Sequence, residues 1–287
     1  KKSLEALSQS GAFDTLAPSR SIAVASVNDM LRDRSSDRLN SNLKSGDLFS
    51  SIQEDFDPYE KYKNTPKLTL SEKLELEKKS LGYYLSGHPV LALDNKIKKI
   101  KSKKINELNN DIKKASLVAL INNVRQIKDR KGKPLTFINF DDGTGTMDGI
   151  IPSDILENYH NVLKEGEILV LKGIVEVDDY RTNDLGSLMY RMRVKEIHTI
   201  DLELNKKIDR VLIDIEKSDA TSLEDFSERL NSIDKDFWKE GSCMLSVKVI
   251  KNESEATIDL GDDFKFTPSL ENLFFLEDIF GKNIIET

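Results

Sequence analysis

Apolar residues between Leu117 and Ile151 fall in an alternating pattern: Val118 and Leu120, then Leu135, Phe137 and Phe140, then Met147, Gly149 and Ile151. Period-two alternation predicts strands that bury one face. Breaks at Lys131-Gly-Lys-Pro134 and at Asp141-Asp-Gly-Thr-Gly-Thr146 supply glycine-bearing turns, so the stretch reads as three strands joined by two hairpins. Beyond it the pattern predicts a helix near Ser153 to Leu163 and strands at Ile168 to Val177 and Leu188 to Ile197. Upstream the period is helical. Leu4 and Leu7 mark a helix that stops at Gly11, and Ile22, Val24, Val27, Met30 and Leu31 mark a second from about Ser19 to Arg34. Leu74, Leu81 and Leu85 mark a third, from Thr69 to Tyr84, with Ser71 as its expected N-cap and Glu72 in its first turn. Between Asp33 and Pro66 periodicity is lost among Ser, Asn, Asp and Lys, the composition of a linker. Downstream come a strand at Arg210 to Ile215, a helix at Ser222 to Leu230, strands at Cys243 to Ile250 and Glu255 to Leu260, and a helix from Pro268 to Phe280 that ends at Gly281.

Three strands, a helix and two more strands is the order of an oligonucleotide-binding (OB) barrel. The expected fold class is therefore α+β and multidomain: a helical N-terminal segment, a five-stranded OB-fold barrel and a small C-terminal α/β domain. With 287 residues there is room for about two domains of ordinary size. The divisions read as a helical segment over 1–40, a linker over 41–66, a helical connector over 67–110, the barrel over 111–203 and the α/β unit over 204–287.

Charge refines this picture. The chain carries −7 overall, but residues 201–287 hold 21 acids and 11 bases, a net of −10, which leaves +3 for residues 1–200. The first hairpin, Arg125 to Lys133, contains Arg125, Lys128, Arg130, Lys131 and Lys133 against Asp129, a net of +4. A basic turn on a small barrel is what single-strand binding requires. The second long loop offers Tyr180 for stacking and Arg181 for phosphate, and Arg191 and Arg193 alternate on the strand that follows, so they share a face. Phe137 is expected to be mostly core. The eight lysines between Asp94 and Lys114 read first as a solvated helical face, leading into the basic hairpin. Asp141 and Asp142 are a pair of the kind that holds Mg²⁺, but within Asp-Asp-Gly-Thr-Gly they are placed to accept hydrogen bonds from turn amides instead. His88 has no second ligand near it in sequence and is expected to cap a helix. No apolar run approaches the roughly 20 residues of a spanning helix, and the single cysteine, Cys243, excludes a disulfide framework, which points to a reducing cytoplasm and no membrane partner. The absence of an initiator Met and the start within a helical pattern suggest a piece of a longer protein.

The run Glu77-Lys-Lys-Ser80 followed by Leu81-Gly-Tyr-Tyr-Leu-Ser-Gly-His-Pro89 closely resembles the segment before the OB domain in the C-family replicative polymerases of bacteria, the DNA polymerase III alpha subunits. Leu4-Glu-Ala-Leu7 with Ser10-Gly-Ala-Phe-Asp14 looks like the end of that family's helix-hairpin-helix region, although the two helices would also suit an ordinary helical pair. Arg125, Lys131-Gly132 and Asp141-Asp-Gly-Thr-Gly145 fall where the family has its Arg, its basic glycine turn and its Asp-Asp turn. The resemblance implies that Ser45-Gly-Asp47-Leu48-Phe49 in the linker is the sliding-clamp-binding peptide, departing at Ser45 from the family's Gln, so that binding would rest on Leu48 and Phe49. It also implies that the last helix, with Leu270, Leu273, Phe274, Leu276, Ile279 and Phe280, binds the tau subunit of the clamp loader; the residue pattern alone fits equally a helix packed on its own sheet. The polymerase aspartates and their Mg²⁺ belong to an upstream palm domain, so no catalytic residue or cofactor is expected here. The function implied is a tether of a replicative DNA-directed DNA polymerase: the barrel on single-stranded template, the linker on the beta clamp and the acidic unit on tau. The rival reading is an OB-fold fragment of an RNA-binding or helicase-type enzyme.

Overall fold

The computed structural model describes residues 2–27, 29, 59–128, 132, 134–159, 161–178, 188–220, 222–238, 241–251, 254–281 and 285–286. It divides into two units, Lys1–Ala92 and Leu93–Thr287.

In the first unit, α1 (Lys2–Ser10) packs against α3 (Leu70–Leu81), and α2 spans residues 20–27, burying Ile22, Ala23 and Val27. The N-cap of α3 is Thr69 rather than Ser71. Thr69 lies three residues before Glu72, the spacing of a capping box, and Thr69 Oγ1 accepts from Glu72 N at 3.2 Å while the Glu72 carboxylate accepts from Thr69 N. Ser71 has Leu74 at that spacing and has no such reciprocal partner. A buried network joins the helices. Arg20 Nη1 donates to Glu77 Oε1 at 2.7 Å while its Nη2 donates to Asp14 at 2.7 Å. Glu77 Oε2 accepts from Leu85 N and Ser86 N at 2.7 and 2.8 Å. Burial by itself raises the Glu77 carboxyl, but the donors from Arg20, Ser86 and Leu85 outweigh it and hold the group down at about 2. The Glu77…Ser86-Gly-His-Pro motif is thus a structural clasp. Gly11, at φ +85°, belongs to it as well, because a Cβ there would meet Arg20 Nη2 at 2.2 Å. His88 Nδ1 accepts from Val90 N at 3.2 Å, capping α4 (Pro89–Ala92).

In the second unit, β1 (Lys114–Lys128), β2 (Pro134–Asp141), β3 (Thr146–Pro152), β4 (Ile168–Val177) and β5 (Tyr190–Thr199) form a closed barrel in the order β1-β2-β3-β5-β4. Closure is the parallel pairing of β3 with β5; the other ladders are antiparallel. The fifteen-residue β1 reaches round the barrel, pairing β4 with its first half and β2 with its second across an irregularity at Ile121/Asn123. Leu117, Ala119, Ile121, Ile138, Phe140, Met147, Leu171, Met192 and Val194 fill the interior, and α5 (Ser153–Tyr159), shorter than the expected 153–163, packs Ile155, Leu156 and Tyr159 on that core. Gly149 faces inward: a Cβ there would stand 2.8 Å from Ile138, so its absence makes room for Ile138 and Phe140.

The lysine-rich connector is not a solvated helix. Over 93–100 it runs in turns, Leu93, Ile97 and Ile100 are buried, and Lys96 forms a 2.7 Å ion pair with Glu277 and stands 4.3 Å above the Phe274 ring. Further on, Lys103 N donates to Ser116 O at 2.8 Å, and Ile105 N donates to Asp142 Oδ2 at 2.7 Å.

After the barrel, α6 (Ile200–Lys207) leads to an open sheet of β6 (Arg210–Asp214), β7 (Cys243–Lys251), β8 (Ser254–Asp259), β9 (Lys265–Phe266) and β10 (Ile285–Glu286), ordered β10-β6-β7-β8 with β9 also on β7. Two helices pack with it, α7 (Leu223–Ser232) and α8 (Leu270–Phe280), joined by Phe226 and Phe280 with ring centroids 4.7 Å apart. Among the described residues no helix is long and apolar enough to cross a membrane.

Candidate nucleic-acid interface

Residues paired across a ladder project to the same side of a sheet. Arg125 pairs with Phe137, Phe137 with Ile150, and Ile150 with Arg193, so one row crosses four strands on the outer wall of the barrel. The neighbouring row is Asn123, Asn139, Asp148 and Arg191. Arg191 and Arg193 therefore share a face, as their spacing implies, and barrel closure brings Arg125 onto it. A shallow groove of about 340 Å³ lies over β1 and β2, lined by Asn123, Arg125, Ile127, Phe137, Asn139 and Asp148 among others.

Phe137 corrects the expectation that it is core. It is half-buried on the outer wall, because Thr136, Ile138 and Phe140 take the inward positions of β2. A one-residue shift of register exchanges the two faces of a strand, and the inward glycine at 149 favours Ile138 and Phe140 inside. Thr136 follows them in, and its buried hydroxyl has no hydrogen-bond partner among the described residues.

Polar contacts hold the face in shape. Asn139 Nδ2 donates to Asp148 Oδ1 at 2.7 Å, and Glu165 Oε1 accepts from Asn123 Nδ2 and Val124 N at 3.1 and 3.0 Å. Glu176 lies 3.4 Å from Arg191 Nη2 and 3.6 Å from Arg193 Nε. Among the described residues Arg125, which is exposed, forms no ion pair. Lys128, also exposed, ends β1 opposite Pro134 at the hairpin. Arg130, Lys131, Lys133, Tyr180 and Arg181 lie outside the described residues, as do Asp47, Leu48 and Phe49. The arrangement supplies an aromatic face for a base, guanidinium groups for phosphates on either side of it, and amide and carboxylate groups for base edges. Asn123, Asn139 and Asp148 are not singled out by the sequence, and Phe137 is noticed there but placed in the core; the inward glycine at 149 is the signal for its outward side.

Asp141 and Asp142 are turn residues. Asp141 Oδ1 accepts from Gly143 N at 2.6 Å, and Asp142, fully buried, accepts from Thr144 N at 2.8 Å, Gly145 N at 3.2 Å and Ile105 N. Both Asp142 oxygens are thereby occupied by turn and connector donors.

The apolar surface of α8 is largely intramolecular. Leu273, Leu276 and Phe280 are fully buried, whereas Leu270, Phe274 and Ile279 are half-buried and Phe275 is 40% exposed. A helix on one face of an open sheet must turn its widest apolar stripe toward that sheet.

A family model described as an OB-fold nucleic acid binding domain matches residues 115–200, the extent of the barrel. The chain is similar from end to end to DNA polymerase III subunit alpha of Pseudomonas aeruginosa (24% identical, 99% of this chain and 25% of that protein) and of Vibrio cholerae (28%, 100% and 24%). The Neisseria meningitidis serogroup B alpha subunit is 30% identical over 64% of this chain and 16% of its own length. The resemblance carried by the motifs thus extends over the whole chain, which spans about a quarter of the length of the Pseudomonas and Vibrio relatives.

Proposed function

We propose that this chain is the nucleic-acid- and partner-binding C-terminal region of a DNA polymerase III alpha subunit, and that its barrel holds single-stranded template DNA. The observation that carries the reading is the row Arg125, Phe137, Ile150 and Arg193 on the outer wall. A base stacks on Phe137 while Arg125 and Arg193 meet the flanking phosphates, with Arg130, Lys131, Lys133, Tyr180, Arg181 and Arg191 extending the track. Each stacked base is worth about 1–3 kcal/mol, and each neutralised phosphate adds to the salt dependence of affinity.

Around the barrel, the reading gives residues 1–40 to the end of a helix-hairpin-helix region, 41–66 to a linker that binds the beta sliding clamp through Asp47, Leu48 and Phe49, and 204–287 to docking of tau. Polymerisation and its Mg²⁺ chemistry belong to the parent protein in the cytoplasm. Oligo-dT titration across a salt series tests the DNA reading. Saturable binding that weakens with salt and with Arg125→Glu plus Arg193→Glu is expected, and binding indifferent to both would sink it. Stronger binding of a folded RNA than of oligo-dT would favour the RNA-binding alternative. A pull-down with purified clamp in which Leu48→Ala plus Phe49→Ala bound like the parent would remove the clamp site.

A further inference from the structure

With Leu273, Leu276 and Phe280 turned inward, the last helix leaves Phe275 accessible, and a cluster of aromatic residues stands beside it. The short 3-10 helix Lys235–Trp238 sets Phe237 and Trp238 edge to face at 4.7 Å. Phe237 stacks 5.5 Å over the buried Phe266 and stands 5.1 Å from the exposed Phe275, while Trp238 meets Phe264 at 5.3 Å. Beside this ridge a groove of about 470 Å³ is lined by Leu230, Ile233, Trp238 and Phe264 and by three charged residues, Asp262, Asp263 and Lys235, so that acids outnumber bases two to one. Asp262 is tied to Lys265 at 2.6 Å; among the described residues Asp263 forms no ion pair.

We propose that this groove docks a cationic segment of a partner protein, anchored by an aromatic or leucine side chain. Half-buried Trp and Phe beside apolar side chains are the residue types that carry binding energy at protein interfaces, and an excess of acids in the lining selects lysine or arginine next to the anchor. The unit's net charge of 11 − 21 = −10 over 201–287 repels a phosphate backbone and attracts such a segment. The inference rests on the reading of this unit as a protein-docking module and gives that module a different surface from the apolar stripe of α8.

Trp238 is the chain's only tryptophan, so its fluorescence reports on the groove alone. The intact chain is titrated with a twelve-residue lysine-rich peptide carrying Leu and Phe, with its Glu-for-Lys counterpart and with a version whose anchors are Ser. The expected result is a saturable change with the first peptide, suppressed by salt and at least tenfold weaker with either control. Asp262→Lys plus Asp263→Lys, surface changes that leave the core intact by circular dichroism, should weaken it at least tenfold. No saturable change, equal response to the acidic peptide, undiminished binding by the double variant, or a signal that depends only on the chain's own concentration would each overturn the groove. Purified tau separates the two levels. Tau bound equally by parent and double variant leaves the docking unit standing and overturns the groove as its site, whereas a peptide response without tau binding supports the groove and removes tau as partner.

Discussion

In the barrel, Phe137 stands outward beside Arg125, whereas in the C-terminal sheet Leu273, Leu276 and Phe280 turn inward against their own domain. Both stretches are apolar, but the first turns outward a side chain expected in the core, whereas the second takes the packed arrangement that its residue pattern left open. The difference lies in what each architecture leaves uncovered. A closed five-stranded barrel has a small interior, already filled by Ile138, Phe140 and their neighbours, so a further aromatic on the same strand is left outside. An open sheet needs a helix to cover it, and burying each large side chain of that helix contributes about 1.5–3 kcal/mol. A half-buried aromatic in the first setting is surplus to packing; the buried Leu273, Leu276 and Phe280 in the second are the packing.

The strongest way to break this contrast is Phe280→Ala, which should cost about 3–5 kcal/mol in denaturant unfolding. Cys243 offers a readout: burial pushes its thiol up to about 12, so it stays unreactive until the unit opens, and labelling should accelerate in step with the loss. A cost below about 1 kcal/mol would mean α8 is not the cover of the sheet.

Next in size comes a carboxylate outside both regions, which calibrates what a buried polar group contributes. Glu77 sits at about 2 when folded, below its ordinary 4.5, so the unfolded chain binds the extra proton. Its contribution, on the order of 3 kcal/mol, is present above about pH 4.5 and is lost as pH falls toward 2. Urea titrations of the parent between those values should show that acid slope, and Glu77→Gln should remove it.

Asp142→Ala probes the barrel from its turn. Leaving the amides of Ile105, Thr144 and Gly145 without their acceptor should cost about 1–3 kcal/mol, read as a lower Tm, with Asp142→Asn milder. Phe137→Ala, by contrast, should change stability by less than about 1 kcal/mol yet weaken oligo-dT binding by about 1–3 kcal/mol. A stability loss as large as that of Phe280→Ala would place Phe137 in the core after all. Smallest is Lys128→Ala, expected to lower the slope of log affinity against log salt by about one with little effect on sequence preference.

The strands were legible because their pattern is local: the fourth was expected at Ile168 to Val177 and is found there, and Arg191 and Arg193 share a face by simple alternation. What joins Arg125 to them is the parallel β3–β5 closure, a pairing between distant segments that no local period encodes. The side of Phe137 was ambiguous because Leu135-Thr-Phe-Ile-Asn-Phe140 supports either parity, and only the glycine across the ladder decides it. Thr69 as cap was readable from its spacing to Glu72. Lys96 was not, because the acid that draws it inward, Glu277, is supplied from the far end of the chain.

The connector's attachments have a mechanical consequence. Tension arriving at Leu93 meets three attachments in turn: Lys96 on Glu277, then the Lys103 amide on Ser116 of β1, then the Ile105 amide on Asp142. Like stitches along a seam they would have to be undone one after another, the one on Glu277 first, before a pull reached the start of β1.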